Sequence, residues 1–144
     1  MAAKQVLASA PDGPPEGSFL SAATRAGDFI YVSGHAGLAP GSSAYGEGRD
    51  WMPGEVVEGG IEAETRATLE NLRVVLEAAG GSFKDVVKIN TYLRDIDRDF
   101  MAYNEIYKTY FPNDPPSRTT VGATIYGKLL IEIDCVAYVP AERV

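Results

Sequence analysis

At 144 residues, with 45% hydrophobic residues and a single cysteine, Cys135, the chain has the size and apolar content of one globular domain and cannot form an internal disulfide. Its 20 acidic residues outnumber 13 basic ones, for a net charge of −7. Nucleic-acid affinity comes mainly from Lys and Arg neutralising phosphates, so a small molecule is the expected partner. No apolar run is long enough to cross a bilayer and residues 1–10 carry no signal-peptide stretch, so the expected compartment is the cytoplasm.

Residues 1–18 hold Pro11, Gly13, Pro14, Pro15 and Gly17, which read as an irregular leader to a single domain over residues 19–144. Strands are predicted at 19–24 and 29–33, turned at Ala26-Gly27-Asp28. In the second, Phe29 and Tyr31 alternate with Ile30 and Val32, the pattern of a strand buried on both faces. Residues 37–60 are rich in Gly, Pro and Ser and read as a long irregular loop. Within it Trp51 either packs on the domain or forms the lip of a pocket.

Ile61, Thr65, Leu69, Leu72, Leu76 and Ala79 recur at helical spacing, predicting a helix over 61–79 that Gly80-Gly81 ends. Residues 86–94 alternate as a strand with one buried face. Asp97 or Asp99 is the expected cap of a second helix that runs to Phe111 and stops at Pro112. Its aromatic stripe, Phe100, Tyr103, Tyr107 and Tyr110, reads as core. Two last strands, 118–125 and 129–139, are joined by a predicted tight turn at Tyr126-Gly127-Lys128. Two amphipathic helices need an apolar sheet face to cover, which predicts an α+β fold: a two-layer sandwich on a mostly antiparallel sheet.

Several chemistries are excluded. The chain has no phosphate-loop or dinucleotide fingerprint, and with one histidine and one cysteine no metal site is expected. No GxSxG elbow accompanies His35. Cys135 lies among apolar strand residues and reads as an inert core thiol. What remains is a few polar residues in apolar settings. Arg118 follows the stiff Pro115-Pro116-Ser117 segment, and a rigid origin suits the directional guanidinium fork for holding a carboxylate. Glu132 and Asp134 share one face of the last strand. A salt bridge between Glu132 and Arg118 on the preceding strand is the plainer reading of that pair. His35 reads as a structural residue more readily than as a base. Asn104 is open between a bridging amide and a pocket-lining donor.

At these residues the chain resembles the RidA/YjgF family of reactive-intermediate deaminases. The likeness rests on Val32-Ser33-Gly34, on Glu64 to Leu72, on Asn104 with Tyr107 and Phe111, on Pro116-Ser117-Arg118-Thr119-Thr120-Val121 and on Ile131-Glu132-Ile133. The resemblance implies a six-stranded sheet with two helices on one face, packed as a homotrimer with sites in the clefts between subunits. It implies that Arg118 clamps the carboxylate of an imino or enamino acid, that Glu132 positions the hydrolytic water, and that the products are a 2-oxo acid and ammonia, with no cofactor. Phe19, Ser33, Gly34, His35, Asn104 and Thr119 are the implied substrate-binding residues. A non-catalytic oxo-acid binder is the alternative, and a ribonuclease a weaker one. Phe19 and His35 stand where the main branch of the family carries Tyr and often Gln, which points to a divergent branch and to a larger substrate such as a 2-aminomuconate-type compound.

Overall fold

The structure, a computed structural model, describes residues 3–7, 14, 18–42, 44–45, 51–52 and 54–143. Its strands are β1 (Gln5–Leu7), β2 (Ala23–Ala26), β3 (Phe29–Ala36), β4 (Ala44–Tyr45), β5 (Trp51–Met52), β6 (Val86–Leu93), β7 (Ser117–Gly122) and β8 (Ile131–Tyr138). Helix α1 (Gly60–Ala78) precedes β6, and α2 (Ile96–Tyr110) lies between β6 and β7. Six strands form one sheet in the order β1-β2-β3-β8-β6-β7, antiparallel except for the parallel β6–β7 pair. The expected two-layer α+β sandwich is therefore present. Among the described residues no helix is long and apolar enough to cross a membrane.

Both helices cover the same sheet face. Leu69, Leu72 and Leu76 of α1, with Tyr103, Ile106 and Tyr107 of α2, meet Ile30, Val32, Ile89, Leu93, Ile131 and Ile133 of the sheet in one core. The α1 stripe falls where the helical period places it. At α2 the cap is Asp95, not Asp97 or Asp99: its side chain accepts from the Arg98 backbone N–H. Asp99 is instead buried, gripped by Arg98 through contacts of 2.8 and 2.9 Å.

Other expectations need correction. The leader is not wholly irregular, because β1 pairs with β2. The strand expected at 19–24 begins at Ala23, since the turn at Gly27-Asp28 sets Ala23 opposite Val32 and β3 bulges just beyond, between Val32 and His35. β3 is covered on one face only: Ile30 and Val32 are buried, whereas Phe29 and Tyr31 are 40% and 48% exposed on the uncovered face. Residues 37–60 carry the β4–β5 ribbon and a Leu38–Val56 bridge; the Trp51 side chain lies outside the described residues.

The last two strands are not neighbours. β6 separates them, and residues 123–130 cross over it. Arg94 fastens this crossover: its Nε donates to Leu129 O at 2.6 Å, and Nη2 donates to Gly127 O at 2.7 Å and to Ile125 O. The buried Glu64 accepts the Leu130 N–H at 2.9 Å.

Just after β3 the chain presses against α1, so closely that a Cβ on Gly37 would lie 2.8 Å from Glu64 Cα, a backbone atom with little room to yield. Gly37→Ala should therefore lower stability by about 1–3 kcal/mol. A urea midpoint unchanged from the wild type would show that the contact relaxes freely.

Candidate active site

Register assigns each candidate to a face of the sheet. Arg118 is opposite Ile89, which is opposite the buried Cys135, so Arg118 points to the helix-covered side. Glu132 is opposite Tyr92, and Tyr92 opposite Val121, so Glu132 points to the uncovered side. The salt bridge between Arg118 and Glu132 is thereby excluded within one chain: another strand lies between them and they leave the sheet in opposite directions.

Arg118 is seated on α2. Its guanidinium carbon lies 4.7 Å from the Tyr107 ring centre, 5.4 Å from that of Tyr103 and 5.9 Å from that of Phe100, all distances at which a cation gains from the ring quadrupole. Nη1 donates to Asn104 Oδ1 at 2.8 Å, so the amide is a bridge that holds the arginine. Spacings of three and four place Phe100, Tyr103, Asn104 and Tyr107 on one side of α2. Of the aromatic stripe read as core, Tyr103 and Tyr107 are buried and Phe100 and Tyr110 pack partly buried against that core, and Phe100, Tyr103 and Tyr107 also cradle Arg118. The Tyr103 hydroxyl is fixed by Thr91 Oγ1 at 2.7 Å. Burial pushes the Tyr107 hydroxyl up to about 12, with the neighbouring Tyr103 adding to it and Arg118 opposing it. Among the described residues no carboxylate reaches ion-pair distance of Arg118.

On the uncovered face an open pocket of about 250 Å³ is lined by Gly34, Tyr92, Ala123, Thr124, Ile125, Glu132 and Asp134. Glu132 enters it because residue 34 has no side chain: a Cβ there would fall 2.1 Å from Glu132 Oε1. Burial, then the charge of Asp134, raises the Glu132 carboxyl above its ordinary value. Asp134 accepts from Asn90 Nδ2 at 2.9 Å. Ser33 sits beside this pocket in the bulge, its hydroxyl donating to Ser21 O at 2.5 Å.

The remaining candidates lie elsewhere. Thr119 accepts from Lys88 Nζ at 2.8 Å. Phe19 is 76% exposed and does not line the pocket. His35 is opposite Ile133 on the covered side, its Nε2 buried without a partner among the described residues. Burial lowers its pKa to about 4. Cys135 is buried, with its thiol pushed to about 12 by burial and then by Asp134, as expected of an inert core thiol. Tyr92 and Asp134 had no assigned role in the sequence. The alternation of 86–94 placed Tyr92 on the polar side, and only the β6–β8 register shows that this side faces Glu132. Among the described residues no group of three or more His, Cys, Asp or Glu is placed to hold a metal ion.

Two helices on one face of a six-stranded sheet, with a cradled arginine on that side and a glutamate pocket on the other, define a recognisable class of small α+β proteins. The chain belongs to the RidA/YjgF family: the family model described as Endoribonuclease L-PSP matches residues 9–139. It is 37% identical over 136 residues to a RutC family protein of Pyrococcus horikoshii, covering 94% of this chain and 98% of that one. It is 40% identical over 109 residues to the 2-iminobutanoate/2-iminopropanoate deaminase of Rattus norvegicus, covering 75% of this chain and 71% of the relative. The crystal structure of RidA from the Antarctic bacterium Psychrobacter sp. superimposes with a TM-score of 0.75 at 29% identity, covering 94% of this chain and 99% of that one.

The buried His35 ring predicts an acid dependence. The unfolded chain binds its proton near 6.5 and the folded chain only near 4. Acidification across that window therefore costs the native state up to about 3 kcal/mol through this residue. His35→Gln should show a shallower loss of urea stability between those pH values than the wild type. Parallel pH profiles would mean that the ring charges without cost.

Proposed function

We propose that this chain is a cofactor-independent hydrolase of imino and enamino acids, acting as a homotrimer whose sites form between protomers. The observation that carries this reading is a pair of charges that meet no opposite charge among the described residues. Arg118 has no carboxylate and Glu132 no cation within ion-pair reach among the described residues, and the two lie on opposite faces of the sheet. A protonated 2-imino acid carries one charge of each sign, its carboxylate matching Arg118 and its iminium matching Glu132. Only a second copy can bring both protein groups to one substrate.

A heterologous contact, the covered edge of one protomer meeting the open face of the next, would supply this. Where the rotation closes, such contacts form rings, of which the smallest has three members. The open face suits burial by another copy, since Phe29, Tyr31, Val87, Val121 and Tyr138 are all large, apolar and exposed on the sheet. A protonated imine is already electrophilic, so orientation by the arginine and delivery of water by the glutamate suffice for hydrolysis. The names of relatives such as the rat deaminase support the same class of reaction. The ribonuclease in the family description has less support, because the one histidine is buried and held neutral and the net charge is −7.

Ammonia release from 2-iminobutanoate, generated in situ by an amino-acid oxidase, should be abolished in Arg118→Ala and in Glu132→Gln. Refolding the two inactive variants together at equal concentration should restore about a quarter of the wild-type sites by random assortment in a ring. A site contained in one chain would regain nothing on mixing. An oxo-acid binder without catalysis would release no ammonia in the wild type.

Gly34→Ala gives a second test. The added methyl displaces only the end of the Glu132 side chain, so turnover should fall at least tenfold while the urea midpoint moves by less than about 1 kcal/mol equivalent. Full turnover in this variant would remove Glu132 from the chemistry.

A further inference from the structure

The pocket beside Glu132 holds more acid–base machinery than one water-positioning carboxylate needs. Its floor is two cross-strand pairs, Asn90 opposite Asp134 and Tyr92 opposite Glu132. Asn90 Nδ2 occupies Asp134 Oδ1 at 2.9 Å. Tyr92 is the diagonal neighbour of Asp134 across the β6–β8 ladder, on the same face, and the charge of that carboxylate raises the Tyr92 hydroxyl above its ordinary value. Tyr92, Glu132 and Asp134 all line the one pocket. We propose that Tyr92 and Asp134 form a proton relay that serves the second half of imine hydrolysis, in which Glu132 is already engaged. This rests on the hydrolase reading above.

In the first half, the oxygen of water bonds to the imine carbon, the C=N electron pair moves to nitrogen, and Glu132 takes a proton from the water. The product is a neutral carbinolamine. In the second half the C–N bond breaks with its pair on nitrogen, and nitrogen recovers the proton from Glu132. At the same moment the carbinolamine O–H pair becomes the new C=O bond, so the hydroxyl proton needs an acceptor other than Glu132. The Tyr92 oxygen takes it as the Tyr92 hydroxyl proton passes to Asp134. Ammonia then takes the proton from Asp134 and leaves as ammonium, with both carboxylates reset. The overall change is iminium plus water to oxo acid plus ammonium.

The charge of Asp134 raises both Glu132 and Tyr92, in keeping with a tyrosine that stays protonated until the carbinolamine presents its own proton.

The test is steady-state turnover of 2-iminobutanoate by the wild type, Tyr92→Phe, Asp134→Asn and the double variant, with 2-oxobutanoate binding and oligomeric state measured on each. The relay requires each single variant to lose roughly a hundredfold in kcat with KM and oxo-acid affinity unchanged. The double variant should be no slower than the slower single. Wild-type kcat in Tyr92→Phe overturns the relay and leaves the hydrolase reading standing. So does a fall in kcat matched by lost oxo-acid binding or a dissociated assembly, which marks Tyr92 as structural. A wild-type protein that releases no ammonia overturns the hydrolase reading, and the relay with it.

Discussion

β7 pairs with β6 in parallel, with Arg118 opposite Ile89 and Val121 opposite Tyr92, and this ladder governs what one chain can and cannot do. It holds β7 one strand away from β8 and, through the pleat, sends Arg118 and Glu132 to opposite sides of the sheet. A crossover helix is what makes a parallel pair possible. Here α2 is that crossover, and it also supplies the aromatic and amide groups on which the guanidinium rests. The fold thus builds the arginine cradle with its own connection, and it leaves the glutamate on the opposite, uncovered face.

The elements that periodicity announces were legible in the sequence. α1 and β6 lie within a residue or so of their predicted limits because their patterns are long and regular. The pairing of the last two strands was not legible. The sequence shows two strands joined by a tight turn at Gly127, and nothing local signals that residues 123–130 pass over another strand. The evidence for that is long-range: Arg94, from the end of β6, bonds to carbonyls of the crossover. The same limit explains β3. Apolar residues on both sides were read as double burial, but alternation cannot tell a face covered by helices from one left apolar and uncovered. Arg118, Asn104 and Glu132 stood out individually as polar residues in apolar settings, and the family resemblance gave them their roles. Their distribution over two faces came only from register.

The glutamate pocket depends on two further devices that have no periodic signature. The bulge between Val32 and His35 sets Gly34 beside Glu132, and the missing side chain becomes the space that the carboxylate occupies. The pocket wall at Ala123, Thr124 and Ile125 belongs to the crossover, which lacks a strand ladder of its own and is held by Arg94 and by the buried Glu64. Burying a carboxylate is costly unless it is bonded, and the Leu130 N–H that Glu64 accepts lies at the end of that same crossover. An acidic residue inside the α1 stripe therefore serves the pocket from a distance.

Charge closes the argument. Other buried ions in this chain are held by it: Asp99 is paired with Arg98, and Arg25 Nη1 donates to the carbonyls of Gly27 and Val139. Arg118 and Glu132 are different, each half-buried and each denied an opposite charge by its own chain. Asn104 and the aromatic rings of α2 stabilise the guanidinium in part, but neither group meets an opposite charge. A ring of protomers alone would let the two pair directly and would tend to close the cleft. In the ring proposed above, a ligand with an anion at one end and a cation at the other would separate the two groups and satisfy both.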